Sequence, residues 1–264
     1  MDKMISFLSG HLAGKVLDYV VSQFHARVIE RWSRRRAETF FEEFCREVEL
    51  ELLGRESDRL DALLDHMLND DLCSGVLFDA YRRVCLSRSK EMGPRIIAIL
   101  TAQLVCQDRM ADDVEDNMLW AAENLADNQL LEFAHFVREH KARAEGKTRG
   151  DASFDDQGNL RVEWYKEQFD SNWRGRTSVS VGPLDLAACL GKWAAELKAR
   201  GIVTDDVKER QWDYREDSER HIDEPGTIRE LSWWICVPKA YFRLAEIIER
   251  AAKRAPGACP REAT

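Results

Sequence analysis

Apolar residues recur at every third or fourth position through most of the first 145 residues. That spacing places the apolar side chains on one face of an α-helix, whereas a half-buried strand needs alternation at every second position. One stripe runs from Met4 to Val28, and the next runs from Phe40 to Leu52. The spacing therefore predicts a bundle of six or seven helices over 1–145, with a long amphipathic first helix over 1–36.

Residues that favour helix starts precede the later stripes. Asp70 or Asp71 opens one of these stripes, and Asp112 and Asp127 precede two later ones. Pro94 stands where a first-turn proline starts a helix. These residues predict where the later helices of the bundle begin.

The helical pattern stops between Lys141 and Asn159, where charged residues and glycines replace the apolar stripe. We therefore place a domain boundary at residue 145 and a linker over 146–178. Within the linker, Phe154 and Leu160 flank a turn that contains Gly158, which predicts a short hairpin. A second domain is expected over 179–254, followed by a flexible tail over 255–264.

The charges are divided unevenly by this boundary. Residues 1–145 hold 19 basic and 27 acidic side chains, whereas the remainder holds 20 and 21, within a total net charge of −9.

The apolar content of 44% excludes a disordered chain. The lack of an 18-residue apolar run and of a signal peptide predicts a cytoplasmic protein. Seven cysteines without a CxxC pair indicate reduced, structural thiols.

The second domain shows a different order of patterns. A helical stripe from Leu186 to Leu197 is closed by Gly201, and two β-like runs follow over 207–214 and 228–237. A polar stretch, 215–226, separates the two runs, and a final helical stripe begins at Tyr241. The predicted order is helix, strand, long polar loop, strand, helix.

That order, with the sequence LGKWAAELKARGIV closing a helix just before a two-stranded hairpin, resembles the second half of a winged-helix domain over about 183–254. The resemblance implies that Asp185–Arg200 is the helix that can lie in a DNA major groove, and that Asp213–Thr227 is the wing. The expected fold class is thus mainly α, with a helical bundle followed by a winged-helix-like α+β module.

Basic residues that could contact nucleic acid or another anionic partner lie in two places. They are Arg27, Arg31, Arg34, Arg35 and Arg36 near the first helix, and Lys192, Lys198 and Arg200 in the winged-helix-like module. Nucleic-acid binding draws most of its affinity from clustered Lys and Arg side chains. The wing is acidic, which opposes DNA binding and favours protein contact. The arginines of the first group could also pair with nearby glutamates, and contact of this helix with a membrane is the least favoured alternative.

Catalytic and metal-binding motifs are missing from the sequence. Glu132 and His135 have the E-x-x-H spacing of a di-iron helix, but no second such pair exists, so we interpret them as a surface pair. No phosphate-binding loop, nucleophile elbow or zinc-binding couple occurs. We expect no cofactor and no metal ion, and the sequence identifies no small-molecule substrate. Binding is favoured over catalysis, and an enzyme would need an active site assembled from positions that are distant in the sequence.

Tryptophans concentrate in the second part of the chain, where six of the eight follow residue 160. Adjacent residues of a strand point to opposite faces, so Trp233 and Trp234 cannot both lie in the core of the small domain. One of them must therefore cover the helical domain of the same chain, a second copy of the chain or a partner. Because aromatic residues are favoured at interface hot spots, Trp164, Trp173, Trp233 and Trp234 are the candidate interface residues for a partner.

The expected function is that of a non-enzymatic interaction or regulatory protein with a protein partner or self-association. The biological setting that this organisation suggests is a subunit of a bacterial stress or defence assembly. The alternative is a winged-helix regulator that binds nucleic acid.

Overall fold

The computed structural model describes residues 34–52, 70–146, 151–170, 185–214 and 226–255. These ranges are mainly helical with one small antiparallel sheet, as the sequence predicts. The elements, in chain order, are α1 (Arg34–Leu52), α2 (Asp71–Leu86), α3 (Met92–Cys106), α4 (Asp113–Asn124), α5 (Asp127–Glu145), β1 (Ala152–Phe154), β2 (Leu160–Asp170), α6 (Leu186–Leu190), α7 (Lys192–Lys198), β3 (Thr204–Tyr214), β4 (Gly226–Val237), a 3-10 turn (Lys239–Tyr241) and α8 (Phe242–Arg254). Most of the predicted first helix lies outside the described residues.

The described residues form two compact units: those up to residue 131 together with those from residue 246 onward form the first, and those between 132 and 245 form the second. The chain passes from the first unit to the second within α5, and it returns to the first unit within α8. No change of composition marks either point. No helix of the described ranges has the length and the apolar character needed to cross a bilayer.

The first unit is built around α3, which is apolar on nearly all sides. Its residues from Met92 to Ala102 are all buried, as is typical of the central helix of a bundle. α1, α2 and α4 pack around it. α1 buries the stripe Phe40, Phe44 and Val48, which confirms that the spacing of these residues marks a helix face.

The helix starts predicted at Asp70 and Asp112 are confirmed, and Asp127 is the first residue of α5, although its carboxylate accepts a hydrogen bond from the N–H group of Met92 in α3. Asp70 accepts hydrogen bonds from the N–H groups of Leu72 and Cys73 at the start of α2. Asp112 forms a capping box with Glu115 at the start of α4. Pro94 lies in the first turn of α3, as expected.

The second unit contains the sheet, with strand order β1-β2-β4-β3 and all neighbours antiparallel. The predicted short hairpin is confirmed as β1 and β2, with Phe154 opposite Leu160 and Gly158 at a φ of +80° in the turn. β2 continues past the hairpin and pairs along β4 as far as Asp170. The predicted two-stranded hairpin of β3 and β4 is therefore part of a four-stranded sheet.

One predicted helix is divided in two. The apolar stripe from Leu186 to Leu197 predicts a continuous helix, but the chain breaks between α6 and α7 at Gly191, whose φ is +98°. A right-handed helix cannot continue through that conformation, and glycine adopts it without steric cost. The stripe still packs as predicted, because Leu186, Trp193 and Leu197 are all buried.

Candidate functional site

The two faces of the sheet differ in chemistry, and β4 shows the difference most clearly. Leu231, Trp233, Ile235 and Val237 alternate along one face and are all buried. Trp234 lies between them on the opposite face and is half-buried. We call these the apolar face and the polar face. The two adjacent tryptophans thus point to opposite faces, as their positions in a strand require.

The apolar face becomes exposed in the row of the sheet that contains Trp233. Tyr165 of β2 and Val207 of β3 lie directly opposite Trp233 on its two sides. The rings of Tyr165 and Trp233 are 5.0 Å apart between centroids. Tyr165 is nevertheless 50% exposed and Val207 is 37% exposed. This row therefore presents apolar surface to solvent on both sides of a buried tryptophan.

A β-bulge in β2 lies beside this row. The pairing of β2 with β4 shifts between Glu163 and Tyr165, which leaves Trp164 as the extra residue. Bulges change the direction of a side chain and end regular pairing. Trp164 is 38% exposed, so Trp164 and Tyr165 are two consecutive large aromatic residues that are both exposed at the surface. We call Trp164 and Tyr165 the aromatic edge.

Among the described residues, the strand that carries the aromatic edge has an open side. β1 pairs with β2 only from Leu160 to Val162, and within the described residues no strand continues that pairing beyond Glu163. The backbone of β2 next to Tyr165 is thus paired with β4 on one side only.

On the polar face, the guanidinium group of Arg161 lies over the indole ring of Trp234. The guanidinium carbon of Arg161 lies 5.0 Å from the ring centroid of Trp234, and an amino group of Arg161 lies 3.2 Å from a carboxylate oxygen of Asp206. The Nε of Arg161 and the Nε1 of Trp234 are both buried, and neither has an acceptor within the described part of the chain. Burial raises the pKa of the nearby Cys236 thiol, and the positive charge of Arg161 opposes that shift.

The basic residues predicted for nucleic-acid contact lie at the two ends of α7. Lys192 begins this helix, Lys198 ends it, and Arg200 follows in the next turn. All three side chains are exposed. The Nζ of Lys198 lies 2.5 Å from a carboxylate oxygen of Asp205, so part of the positive charge of this helix is neutralised within the chain.

Two of the arginines predicted near the first helix, Arg27 and Arg31, lie outside the described residues, and so does the predicted interface residue Trp173. Arg34 begins α1, Arg36 is half-buried, and Arg35 pairs with Glu91 at 2.5 Å. The exposed Arg35 therefore has an acidic partner from a distant part of the sequence.

A buried charge cluster in the first unit escaped the sequence analysis. Glu43 and Glu47 of α1 are both buried, and they accept hydrogen bonds from Arg95 of α3 and from Arg250 and Arg254 of α8. Arg95 lies 2.9 Å from Glu43, and Arg250 lies 2.5 Å from Glu47. The partners are far apart in sequence, so no local spacing reveals the cluster.

A second group missed by the sequence analysis joins α2 to the turn after α3. One ligand atom each from Asp70, Cys73 and Asp108 lie within 4.8 Å of one another, which is a separation that a metal ion could bridge. The Cys73 thiol lies 3.7 Å from Asp108, to which it donates a hydrogen bond. Burial, together with the two carboxylates, raises the pKa of the Cys73 thiol to about 11. The thiol is therefore protonated at neutral pH and acts as a hydrogen-bond donor.

The E-x-x-H pair lies on the surface of α5. Glu132 and His135 are both exposed, and the His135 ring contacts Arg138 and Glu139 of the same helix. On the buried side of α5, Phe133 and Phe136 pack around Trp193, with ring centroids 5.8 Å apart in both pairs. The buried side of this helix thus belongs to the core of the second unit.

Comparison with known protein families, with curated proteins and with solved structures finds no match.

Proposed function

We propose that this chain is a non-enzymatic interaction protein that binds a protein partner at the aromatic edge. The observation that carries the proposal is the position of Trp164 and Tyr165, two consecutive large aromatic residues that are 38% and 50% exposed on a strand whose other side has no partner among the described residues. A subunit of a larger assembly, such as a bacterial stress or defence complex, is the setting in which we place this activity.

The chemistry of the aromatic edge suits a protein partner. Tryptophan and tyrosine are the residues that most often dominate the energy of protein interfaces, because they bury a large area and lose little conformational freedom. The open side of β2 adds backbone N–H and C=O groups to which an extended segment of a partner could bind. Apolar contacts would provide affinity and strand pairing would fix the orientation.

The alternative function, nucleic-acid binding by a winged-helix-like module, is supported by the order of α6, α7, β3 and β4 along the chain. The charges favour the protein partner. Lys198 is paired with Asp205, and on the hairpin Arg229 is paired with Glu209 at 2.6 Å. Phosphate binding would have to break these pairs, and its affinity would fall steeply with salt.

The mass of the native complex tests the proposal. The tagged full chain is expressed in the cells that normally make it, and the lysate is separated by gel filtration. We expect the wild-type chain to elute above the mass of the purified chain, and the Trp164→Ser/Tyr165→Ser variant to lose this higher-mass fraction.

A Leu86→Ser/Met110→Ser variant is the matched control, because both residues are large, apolar and exposed in the first unit. It should elute as the wild type does. Equal elution of all three chains would contradict the proposal, provided that circular dichroism shows that each is folded.

A further inference from the structure

The outer side of β3 is a long exposed edge. β3 is the last strand in the sheet order, and its 11 residues span about 36 Å at the usual rise per residue. All side chains from Asp206 to Gln211 are exposed, and within the described ranges no strand pairs with this outer side. An edge of this length can accept a further strand.

Natural proteins often prevent such pairing with charged side chains on the edge. β3 carries charges of both signs, and their order is informative. Asp205 and Asp206 precede Val207, and Lys208 follows it. The charge therefore changes sign across the one apolar residue of this segment.

When two identical strands pair antiparallel in one sheet, they are related by a two-fold axis perpendicular to the sheet. This axis passes through one row, which is a pair of residues that lie opposite each other. The residue at the axis then lies opposite its own copy, and its two neighbours lie opposite each other. With the axis at Val207, the two valines meet on the apolar face, and Asp206 of each copy lies opposite Lys208 of the other on the polar face. This register makes two opposite-charge pairs around an apolar contact.

The two neighbouring registers differ in placing a like-charge pair on the two-fold axis itself. An axis at Asp206 places two aspartates opposite each other, and an axis at Lys208 does the same with two lysines. Like charges directly opposite each other destabilise a sheet. Among the charged residues around Val207, therefore, no other axis avoids a like-charge pair at its centre.

The next row of the same register carries two acidic residues, which already have cations in their own chain. Asp205 would lie opposite Glu209 of the other copy. Asp205 is paired with Lys198 at 2.5 Å, and Glu209 is paired with Arg229 at 2.6 Å. Each acid thus carries its own counter-charge into this row.

We propose that a second copy of this chain adds its β3 to the outer edge of β3, antiparallel and with the two-fold axis at Val207. The two sheets join into one continuous sheet, in which the apolar rows of Trp233 and Val207 of the two copies meet. This contact goes beyond the proposed function, because it uses the edge opposite to Trp164 and Tyr165.

Charge reversal with complementation tests the register. Full-length chains are examined by sedimentation velocity and by light scattering over a range of concentrations. In a dimer of the Lys208→Asp variant, both 206–208 pairs between the copies consist of two acidic residues. In a dimer of the Asp206→Lys variant, both of these pairs consist of two basic residues. We expect each variant alone to dimerise at least about tenfold more weakly than the wild type.

An equimolar mixture of the two variants restores both opposite-charge pairs, because an acidic copy then faces a basic copy. We expect this mixture to form a heterodimer of near wild-type affinity. That result excludes misfolding and the loss of the Arg161 contact of Asp206 as causes of weak dimerisation in the single variants.

A monomeric wild-type chain, or a dimer whose affinity neither variant changes, would overturn the proposal. Failure of the mixture to restore dimerisation would overturn it as well. The Trp164→Ser/Tyr165→Ser variant should keep the wild-type dimer affinity, so a failure at this edge is distinguishable from a failure at the aromatic edge.

Discussion

Arg95 of α3 donates a hydrogen bond to Glu43 of α1 over 2.9 Å, although both side chains are more than nine-tenths buried. Glu43 also accepts a hydrogen bond from Arg254 of α8. Three helices that are far apart in sequence are therefore tied to one carboxylate. A buried charge is stable only while its partners are in place, so this junction should be a sensitive point of the first unit.

Removal of the Glu43 charge should destabilise the protein strongly. Glu43→Gln leaves the buried guanidinium of Arg95 without its counter-charge, and we expect a loss of about 3–5 kcal/mol in the free energy of unfolding. Urea unfolding followed by circular dichroism measures the change. Arg46→Ala is the control, because Arg46 is 47% exposed and lies 3.4 Å from Glu43, which predicts a loss below about 1 kcal/mol. If Arg46→Ala lowered the free energy of unfolding as much as Glu43→Gln does, the buried position of the Arg95–Glu43 pair would not explain the loss.

The same helix shows what the sequence can and cannot predict. The spacing of Phe40, Phe44 and Val48 predicts the buried stripe of α1, because an apolar face is a local property of the chain. Glu43 and Glu47 lie beside that stripe, and a sequence reading places such charged residues in solvent. Their burial depends on arginines more than 50 and 200 residues away, and no local pattern carries that information.

The candidate interface shows the same limit. Alternation along a strand predicts that Trp233 and Trp234 point to opposite faces, and the structure confirms it. The exposure of Trp164 follows from a bulge in the pairing of β2 with β4, which depends on two strands more than 60 residues apart. The domain limits inferred from composition, and the roles of the candidate residues, stay predictions.

Substitution of Gly93 should be far more costly than substitution of another helical glycine. A Cβ atom at Gly93 would lie 2.3 Å from the backbone oxygen of Ala122, and neither backbone can move without disturbing the packing of α3 on α4. We expect Gly93→Ala to lower the thermal midpoint clearly, with a loss of at least about 2 kcal/mol.

Gly75 of α2 is the matched control for Gly93, because a Cβ atom there meets nothing within 4 Å. Gly75→Ala should stabilise the protein by roughly 0.5–1 kcal/mol, since alanine loses less backbone entropy in a helix. Differential scanning calorimetry of the two variants would show opposite shifts. Shifts of the same sign would show that the close approach at Gly93 is not decisive.

The titration of Cys73 should depend on Asp108. Asp108→Asn removes a negative charge beside the thiol and should lower the pKa of Cys73 from about 11, while burial keeps it above its ordinary value. The rate of alkylation against pH, resolved by peptide mass spectrometry, measures this shift. Burial also raises the pKa of Cys45 to about 11, with Glu49 as its charged neighbour, so Cys45 provides an internal control. Its profile should stay unchanged, and an equal shift at both thiols would indicate general loosening.

Acid destabilisation of the second unit should depend on His140. This side chain is buried against Phe136, with ring centroids 4.5 Å apart, and its Nδ1 has no partner in the described part of the chain. Burial, and then the positive charge of Arg143, lower the pKa of His140, while Asp151 and Glu139 oppose the shift. The folded protein therefore favours the neutral ring.

The sign of the pH dependence follows from this shift. Above the ordinary histidine pKa of about 6.5 the ring is neutral in both the folded and the unfolded chain, and it contributes no pH dependence. As the pH falls below that value, the unfolded chain takes up the proton first, and the free energy of unfolding decreases until the folded pKa is passed. His140→Leu should flatten this decrease in urea unfolding curves measured from pH 7 to pH 5. His135→Gln removes a histidine that is 63% exposed, and it should leave the decrease in place. If His135→Gln flattened the curve and His140→Leu did not, the buried ring would not be the group that titrates.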